Sequence, residues 1–451
     1  MATNFLTDAV VVIVVLGLMI FIHEAGHFLA AKAFGIRVLT FSLGFGKRLF
    51  GFKRGDTDYR VSALPFGGYV KMAGDDPTEV HGDDPGEFLS RPRWQRFVVV
   101  VMGPMMNLFL AVAILAGLYR FHFQKPAYQE QAAVVGEVDP GSPAAEAGIR
   151  PGDLIARLDG LKNPKWEDVE LKTLMAAGET LPVEIVRDGH PLHRKVKPKA
   201  QGSDQLGYAG WQACVPALVG VVESGLPAAK AGVKPGDLIV GLDGHPIPCW
   251  QDLHPALQAA NAGASAHSGA QGRPVELAVQ RDGKTVQVRL TAVYGDVQGV
   301  EKWYIGILPR NAFVVRQLPW EKAIEASVSD NIRSCVVTFD AIGKILTRKM
   351  SARSLSGPIG IAEISGEAYR AGFADLLAVA AFFSLQLGIF NLLPIPVLDG
   401  GVILVLLIEG IIRRDLSLTF KERIVQIGMA FLLLLVVFTV YNDIVKVVKP
   451  Y

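Results

Sequence analysis

Cysteine is scarce in this chain: 451 residues include three, Cys214, Cys249 and Cys335. They show no C-x-x-C spacing, so they predict neither a thiolate zinc site nor a disulfide framework. Whether Cys214 and Cys249 form a bridge stays open at this stage. An excess of charge is lacking too, because 45 Lys and Arg residues face 43 Asp and Glu residues, for a net charge of +2. We therefore expect no nucleic-acid partner.

The N-terminus lacks the basic region with which a secretory signal peptide begins, since residues 1–8 contain no Lys or Arg. We expect the first apolar run to be kept as a membrane helix. Apolar residues make up 50% of the chain, the mean hydropathy is +0.32, and the excess lies in a few runs. This pattern indicates a membrane protein with soluble insertions.

The motif His23-Glu24-Ala-Gly-His27 interrupts the first apolar run. Residues four apart share a helix face, so His23 and His27 can put two imidazoles on one metal ion. Glu24 can hold and deprotonate a water molecule there, which is the division of labour in H-E-x-x-H metallohydrolases. Ionisable residues inside an apolar helix cost up to about 3 kcal/mol each on insertion scales. We therefore prefer a metal site to a chance match.

A second stretch, Asn391-Leu-Leu-Pro-Ile-Pro-Val-Leu-Asp399-Gly-Gly401, lies far along the chain. Asp399 is the first charge after the uncharged run 376–398. Acidic residues also end membrane helices at the interface, but the pairing with the histidine motif favours a ligand. Two histidines and a carboxylate leave the fourth zinc position open, as catalysis needs. We predict one Zn²⁺ per chain on His23, His27 and Asp399, with Glu24 as the catalytic base.

The middle of the chain contains an internal repeat, because residues 135–160 align without gaps on residues 219–244. Both copies share Pro-Ala-Ala-x-Ala-Gly, Pro-Gly-Asp-Leu-Ile and Leu-Asp-Gly, which indicates duplication. Each copy later reaches Arg-Asp-Gly, a hairpin turn, at Arg187 and at Arg281. The copies resemble tandem PDZ domains, whose groove captures peptide termini by β-addition. A rigid spacer is the other interpretation.

Together, the two motifs and the repeats resemble the site-2 protease family of zinc intramembrane proteases, over essentially the whole chain. The resemblance implies regulated intramembrane proteolysis in the bacterial inner membrane. It implies single-span membrane substrates, such as the anti-sigma factor of the envelope stress response or remnant signal peptides. It also implies that the PDZ pair acts as a size filter over the site, with peptide ligands of the PDZ domains as a further expectation.

Basic residues predict the orientation of the chain. Ten Lys and Arg residues lie between positions 36 and 96, so this connection is expected in the cytoplasm and the N-terminus outside. The run 376–398 then enters from outside, which carries Asp399 to the cytoplasmic leaflet, the depth expected for His23 and His27. The C-terminus and the PDZ domains are expected in the periplasm.

The cytoplasmic connection mixes aromatic, β-branched and glycine residues at 41–46 and 59–71, which predicts β-hairpins. An ordinary soluble hairpin is one interpretation; the family implies a membrane-reembedded β-loop beside the site. We hypothesise that residues 62–72, with Gly67, Gly68 and Tyr69, hold an extended substrate at a strand edge. Asn391 could donate a hydrogen bond to the oxyanion or cap a broken helix. Asn107 could touch the site or the substrate, or form a helix-packing hydrogen bond.

The predicted fold is a polytopic α-helical membrane protein with four transmembrane helices, cytoplasmic-side membrane-associated β-hairpins and two tandem periplasmic PDZ (α+β) domains. The predicted segments are 1–35, the first span with the zinc motif; 36–96, the β-hairpin loop; 97–119, the second span; 127–215 and 216–309, the PDZ domains; 310–375, a periplasmic amphipathic helix and linker; 376–401, the third span; and 424–445, the fourth.

Two other functions fit parts of this pattern. One is a catalytically inactive scaffold that holds envelope proteins on its PDZ pair, against which the intact zinc motifs argue. The other is an ion- or proton-coupled transporter. Transporters of that kind usually have more spans and inverted repeats, whereas four spans without a membrane repeat are predicted here.

Overall fold

The computed structural model describes residues 2–75, 84–121, 123–202, 204–265, 267–297, 300–310 and 313–448. Part of the predicted loop 36–96, residues 76–83, lies outside the described residues. The chain divides into two compact units. The helical unit comprises Met1–Phe123, Arg316–Gly343 and Leu355–Tyr451, and the repeat unit comprises Gln124–Val315 and Lys344–Ser354.

The elements follow one another in three stretches of the chain. The first stretch contains α1 (Ala2–Ala33), β1 (Val38–Arg54), β2 (Thr57–Met72), α2 (Arg93–Phe121), β3 (Phe123–Pro126) and α3 (Ala127–Glu130). The second contains β4 (Val135–Val138), α4 (Pro143–Glu146), β5 (Leu154–Leu158), β6 (Leu161–Lys162), α5 (Trp166–Met175), β7 (Leu181–Arg187), β8 (His190–Val196), β9 (Lys199–Gln201), β10 (Leu206–Tyr208), β11 (Trp211–Ala213), β12 (Val219–Val222), α6 (Pro227–Lys230), β13 (Leu238–Leu242), β14 (His245–Pro246), α7 (Trp250–Ala260), β15 (Gln271–Arg281), β16 (Lys284–Val297), β17 (Val300–Tyr304), β18 (Ile307–Pro309) and β19 (Phe313–Arg316). The third contains α8 (Trp320–Leu346), α9 (Pro358–Ala371), α10 (Phe373–Leu392), α11 (Asp399–Ile412) and α12 (Leu418–Val448).

Four helices of the described chain are long and apolar enough to cross a bilayer: Thr7–Ala33, Arg93–Phe121, Phe373–Leu392 and Leu418–Lys446. Their number agrees with the prediction from the sequence. The first three pack together: Val15 and Met19 of α1 meet Ala380 of α10, and α2 and α10 share a second buried cluster. A membrane-spanning helical bundle is therefore the frame for everything else in this unit.

The third span ends earlier than the predicted 376–401, because α10 stops at Leu392. Pro394 and Pro396 follow directly, and a proline cannot donate the backbone hydrogen bond that would continue a helix. Asp399 opens a separate helix, α11. The carboxylate consequently lies at a helix start after a sharp turn, as the two prolines in the sequence predict.

Strands β1 and β2 form one folded hairpin sheet. The first half of β1 pairs on one side with the start of β2, as in Leu43 with Val61, and on the other side with its end, as in Leu43 with Gly68. The second half of β1 pairs with the start of β2, as in Arg48 with Ser62. Within the described residues, the end of β2 is therefore an edge of this sheet.

Helix α8, in the segment predicted to hold an amphipathic helix, has a small and polar face packed on the spans. Ser327 donates a 2.7 Å hydrogen bond to the carbonyl of Val112 in α2, and Thr338 bonds Gln386 of α10. The large apolar side chains of α8 lie mostly on its exposed side. Exposed members are Trp320, Ile324, Val328, Ile332 and Val336. A small and polar face thus packs on the spans, and the apolar face is exposed.

The repeat unit contains two similar β-rich cores. The first is built on the sheet β6-β5-β7-β8 and the second on β14-β13-β15-β16-β17, each covered by one longer helix, α5 or α7. Arg187 and Asp153 form a bidentate pair in the first copy, with contacts of 2.7 and 2.8 Å. Arg281 and Asp237 repeat it in the second copy at 2.7 and 2.6 Å. The internal ion pair has therefore been duplicated with the fold.

A disulfide joins Cys214 to Cys249, which answers the question that the sequence left open. Cys214 follows the last strand of the first copy, and Cys249 is the residue before α7 of the second. Gln251 strengthens this junction by donating a 2.7 Å hydrogen bond to the carbonyl of Ala213. The free cysteine among the described residues is Cys335.

Candidate metal centre

Three side chains from distant parts of the sequence converge beside α1. His23 and His27 lie one turn apart on that helix, and the start of α11 brings Asp399 to them. One ligand atom from each lies within 4.8 Å of the other two. The two Nε2 atoms are 3.2 Å apart, and the carboxylate oxygens of Asp399 lie 3.0 Å from His23 Nε2 and 3.5 Å from His27 Nε2.

These distances fit a zinc ion. Tetrahedral zinc binds His nitrogen and carboxylate oxygen at roughly 2.0–2.2 Å, which spaces its ligand atoms about 3.3 Å apart. The three measured separations bracket that value. Asp399 Oδ2 is buried and has no hydrogen-bond partner despite its nearness to His23, which leaves this oxygen for a metal ion. Two imidazoles and a carboxylate are also the donor types that zinc prefers.

The outer nitrogens of both imidazoles have partners. Nδ1 of His27 lies 2.9 Å from the carbonyl of Val99, which can only accept, so Nε2 is left with a lone pair for a metal. Nδ1 of His23 lies 3.3 Å from the side-chain amide of Asn107, which is fully buried. Rotating that amide by half a turn brings its Oδ1, otherwise without a hydrogen-bond partner, to the N–H of His23. The side chain of Asn107 therefore contacts the candidate metal ligand His23, which is one of the alternatives that the sequence left open.

Helix α2 approaches the cluster at Gly103. A Cβ atom there would overlap both imidazoles and would lie 2.9 Å from His23 Nε2. No other residue fits at this position without displacing the histidines, since real Cβ contacts below 3.0 Å are essentially absent. The absence of a side chain at position 103 leaves room beside the two Nε2 atoms.

Glu24 lies next to the cluster and against the hairpin. Its carboxylate accepts a hydrogen bond from the backbone N–H of Val70 in β2. A Cβ atom at Gly68 would be 3.4 Å from Glu24 Cγ, so the same strand lies in contact range of the glutamate. The edge of the hairpin sheet thus runs beside the carboxylate that the sequence nominates as the base.

The remaining nominated residues are less central. Tyr69 pairs with Ser42, stacks on Phe45 and bonds Arg60 through its hydroxyl. Gly67 has a φ of +121° and packs on the ring of Phe45. Asn391 lies, half-buried, in the last turn of α10. These three stay predictions as substrate-binding or oxyanion-binding residues.

The sequence did not predict the roles of Val99 and Gly103, and it placed Val70 in the nominated segment 62–72 without its contact to Glu24. Val99 and Val70 act through backbone groups, which leave no mark on the side-chain pattern. Gly103 did offer a sign, because it precedes Pro104 in the middle of a membrane helix, where neither residue favours helix formation.

A zinc-type ligand set with an adjacent carboxylate, inside a bundle of membrane-spanning helices, defines a membrane-embedded metallohydrolase. The chain belongs to peptidase family M50, whose family model matches residues 11–435. It is similar to "Regulator of sigma-E protease RseP" of Escherichia coli K12, with 32% identity over 98% of this chain and 99% of the relative. It is 30% identical to "Regulator of sigma E protease" of Salmonella typhi, over 96% of this chain and 97% of the relative.

Further relatives carry the words zinc metalloprotease in their names. The one from Neisseria meningitidis is 30% identical over 95% of this chain and 97% of its own length. The one from Vibrio cholerae is 29% identical over 98% and 100%. The chain is therefore a zinc metalloprotease and a multi-pass protein of the inner membrane, whose substrates are membrane proteins. The resemblance to the site-2 proteases is confirmed. The comparisons support neither of the two alternatives, an inactive scaffold or a transporter.

Proposed function

We propose that this zinc metalloprotease cleaves single-span membrane proteins within the bilayer, with zinc on His23, His27 and Asp399 and with Glu24 as general base. The observation that carries the proposal is the convergence of three ligand atoms at zinc spacing beside Glu24 in a membrane-spanning helix. When bound, zinc polarises the scissile carbonyl and lowers the pKa of attacking water.

Glu24 accepts the proton of the attacking water and later passes it to the leaving amine. The N–H of Val70 orients the glutamate for this task, since it donates a hydrogen bond to the Glu24 carboxylate. Asn107 keeps His23 in the tautomer that presents Nε2, and the Val99 carbonyl does the same for His27. Asn391 stabilises the oxyanion of the tetrahedral intermediate in this proposal.

The substrate binds as an added strand at the end of β2. A helix hides its carbonyls in internal hydrogen bonds, so a transmembrane helix must be extended before it can be cut. Within the hypothesised segment 62–72, residues 68–72 form the edge, with the N–H of Val70 beside Glu24; Gly68 and Tyr69 lie along it, and Gly67 lies directly before it. Addition at this edge would present the scissile carbonyl to the zinc site.

The names of two relatives, "Regulator of sigma E protease" and "Regulator of sigma-E protease RseP", support a proposal for the substrates. We infer that the substrates are an anti-sigma factor and remnant signal peptides, cut during the envelope stress response. In the orientation proposed here the termini and residues 127–309 are periplasmic, and the site lies near the cytoplasmic leaflet. The Cys214–Cys249 disulfide supports this, because disulfides persist in the periplasm and are rare in the cytosol.

The two repeats, 127–215 and 216–309, act as PDZ domains that limit access to the site. Their duplicated sequence, their paired cores and the repeated Arg–Asp pair support one ancestral fold. The amphipathic segment within 310–375 contributes an apolar face towards the lipid. Exposed Ile324, Val328 and Ile332 support that part of the proposal.

Cleavage of a single-span reporter by the purified chain in detergent tests the function. A zinc chelator should abolish cleavage, and re-added zinc should restore it. Matched soluble substrate, the same cytoplasmic and periplasmic segments without the span, should remain uncut. Cleavage that survives chelation, or that proceeds equally on the soluble peptide, would contradict an intramembrane zinc protease.

A further inference from the structure

The pairing of the strands matches the sheets of the two repeats residue by residue. In the first copy, Arg157 pairs with Glu184, and Glu184 pairs with His193. The residues in the same three places of the second copy are Gly241, Ala278 and Gln287. Both hairpins turn at the same Arg-Asp-Gly sequence, so no shift in register separates the copies. A difference in charge between the two sheets can therefore be assigned to single positions.

Strand β8 of the first copy carries a row of exposed nitrogen-bearing side chains. Leu192 and Val196 of this strand pack in the core of the first copy. Alternate residues of a strand point to opposite faces, so His193 and Lys195 lie on the outer face of the sheet, where both are exposed. Lys197 follows directly after the strand and is exposed as well. Between positions 189 and 203 the sequence contains no Asp or Glu that could neutralise this row.

The basic character extends across the whole sheet. Arg157 of β5 lies in line with His193, and Lys162 of β6 pairs with Arg157; both basic residues are exposed. Glu184, which lies between Arg157 and His193, is the one carboxylate among these positions, and it pairs with Arg157 at 3.7 Å. Lys162 and Lys195 form no ion pair with any described residue. The outer face of this sheet is therefore strongly positive.

The second copy is neutral at the same positions. Arg289 occupies the place of Lys195, and Glu276 lies directly opposite it on β15 and balances its charge. The other equivalent places hold uncharged residues, namely Gly241, Pro246, Ala278, Gln287 and Thr291. Acidic residues outnumber basic ones in residues 127–215, so overall composition does not explain the positive face of the first copy. The two repeats have diverged in the charge of one face.

Strand β8 is also an edge of its sheet. Among the described residues it pairs with β7 alone, so the backbone N–H and C=O groups on its other side are open to a further strand. Lysines on an edge strand can serve to prevent such pairing. Arg157 and Lys162, however, lie on β5 and β6, away from this edge. Protection of the edge therefore does not account for the basic face as a whole.

We propose that this basic face, formed by Arg157, Lys162, His193, Lys195 and Lys197, binds an extended protein segment that has acidic residues at alternate positions. The segment adds to the free edge of β8, and every second side chain then lies on the outer face, about 5 Å from its neighbour on β8. Its acidic side chains meet the basic face, whereas the neutral second repeat does not bind it. The proposal requires neither the proposed proteolysis nor the proposed PDZ assignment, so each can fail without the other.

The test is binding of a fluorescein-labelled peptide, Glu-Val-Glu-Thr-Glu-Val-Glu-Thr with a C-terminal carboxamide, to the full-length chain in uncharged detergent, measured by fluorescence anisotropy. One peptide should bind per chain, and binding should weaken as salt is added, because the contacts are ionic. A peptide of the same composition with its glutamates in one block should bind about tenfold more weakly. Half of its carboxylates would point away from the basic face.

Lys195→Glu and Arg289→Glu form a matched pair of variants, because these exposed residues occupy equivalent positions in the two copies. Lys195→Glu should weaken binding about tenfold, since it replaces attraction by repulsion on the basic face. Arg289→Glu makes the same change in charge on the second copy and should leave the affinity unchanged. The thermal midpoint of each variant checks that the chain remains folded.

A bilayer with anionic headgroups is the other partner that a basic face could meet. The peptide titration is therefore repeated in nanodiscs of phosphatidylglycerol and of phosphatidylcholine at about 0.15 M salt, where repulsion beyond roughly 8 Å is largely screened. Equal affinity in both discs supports a protein segment as the partner. Loss of binding in phosphatidylglycerol alone would assign the face to lipid and overturn the proposal. Two peptides per chain, equal effects of the two substitutions, or no binding of the alternating peptide would overturn it too.

Discussion

At the scale of single residues, the size of the side chain at position 103 decides whether the imidazoles of His23 and His27 can bind one metal ion. Helix α2 meets α1 at Gly103, and any side chain there would occupy the space next to His23 Nε2 and His27 Nε2. The site therefore depends on a residue that contributes no ligand and no charge.

Gly103→Ala should abolish zinc binding and cleavage, because its methyl group would displace the imidazoles. Gly117→Ala is the matched control, since it lies on the same helix with open space around its Cβ position. Zinc content by atomic absorption and reporter cleavage check both variants. Retained zinc in the Gly103 variant would show that the histidines bind the metal elsewhere.

The candidate metal ligands could be predicted from the sequence, whereas the groups that hydrogen-bond to them could not. Helix periodicity alone brings His23 and His27 to one face. The 2.9 Å contact of His27 with the Val99 carbonyl could not be predicted, because every residue carries a carbonyl and only the packing of α2 on α1 selects this one.

At the scale of elements, the end of β2 combines an open edge with contact to Glu24. Its N–H groups alternate between the partner strand β1 and the outer edge, where Val70 meets the glutamate. Within the segment 62–72, two classes of backbone position should therefore exist along the edge residues 68–72.

Proline substitutions at successive positions of this segment should impair cleavage with a two-residue period. Where the lost N–H points outward, cleavage should fall while the thermal midpoint is retained. Where it points to β1, the midpoint should fall as well. Uniform tolerance of proline in the cleavage assay would rule out strand addition here.

The duplicated ion pair gives the second repeat a defined response to acid. Hydrogen bonds from Arg281, and then from the Lys234 N–H, lower the pKa of the buried Asp237 below its ordinary 3.8. The unfolded chain takes up the proton first as pH falls. The stabilisation is therefore complete above that ordinary value and is lost as pH falls through the lowered folded value.

Arg281→Gln should destabilise the chain at pH 7, and its difference from wild type should vanish in strong acid. Thermal unfolding followed by tryptophan fluorescence, which includes the buried Trp303, measures this. Arg289→Gln, on an exposed position of the adjoining strand, is the control. A difference that persists unchanged below the lowered pKa would contradict the role of this pair.

Elements were predicted from the sequence where one pattern dominated, and less well where two competed. The apolar spans are unambiguous, so four were expected, and four helices in the described part of the chain are long and apolar enough to span a bilayer. In α8, apolar spacing indicated one face, and the structure adds a small and polar one, in which Ser327 and Asn331 are buried and Ser327 bonds Val112 of α2. Small polar side chains let helices approach closely, which hydropathy does not measure.

At the scale of the whole molecule, one covalent bond bears on the orientation in the membrane. Cys214 and Cys249 are the only cysteines of the repeats, and they are joined. The sequence could not decide this, because the pairing depends on how the second copy packs against the end of the first.

If the repeats are periplasmic, a maleimide of defined mass should modify one cysteine per denatured chain, Cys335, before reduction and three afterwards. Cells that lack periplasmic thiol oxidation should yield three reactive cysteines at once. Cys335→Ser, which should leave none before reduction, controls the assignment. Three reactive thiols in chains from normal cells would place the repeats in a reducing compartment.

The central claim is that Glu24 is the base at a zinc site formed by His23, His27 and Asp399, and one comparison tests it most directly. Wild type, Glu24→Gln and Asp399→Asn are purified in detergent, and zinc content and cleavage of a single-span reporter are measured on each. The account predicts zinc in wild type and in the Gln variant, cleavage by wild type alone, and weakened zinc binding and cleavage in the Asn variant. Full cleavage by the Gln variant, or zinc in neither wild type nor variant, would contradict it.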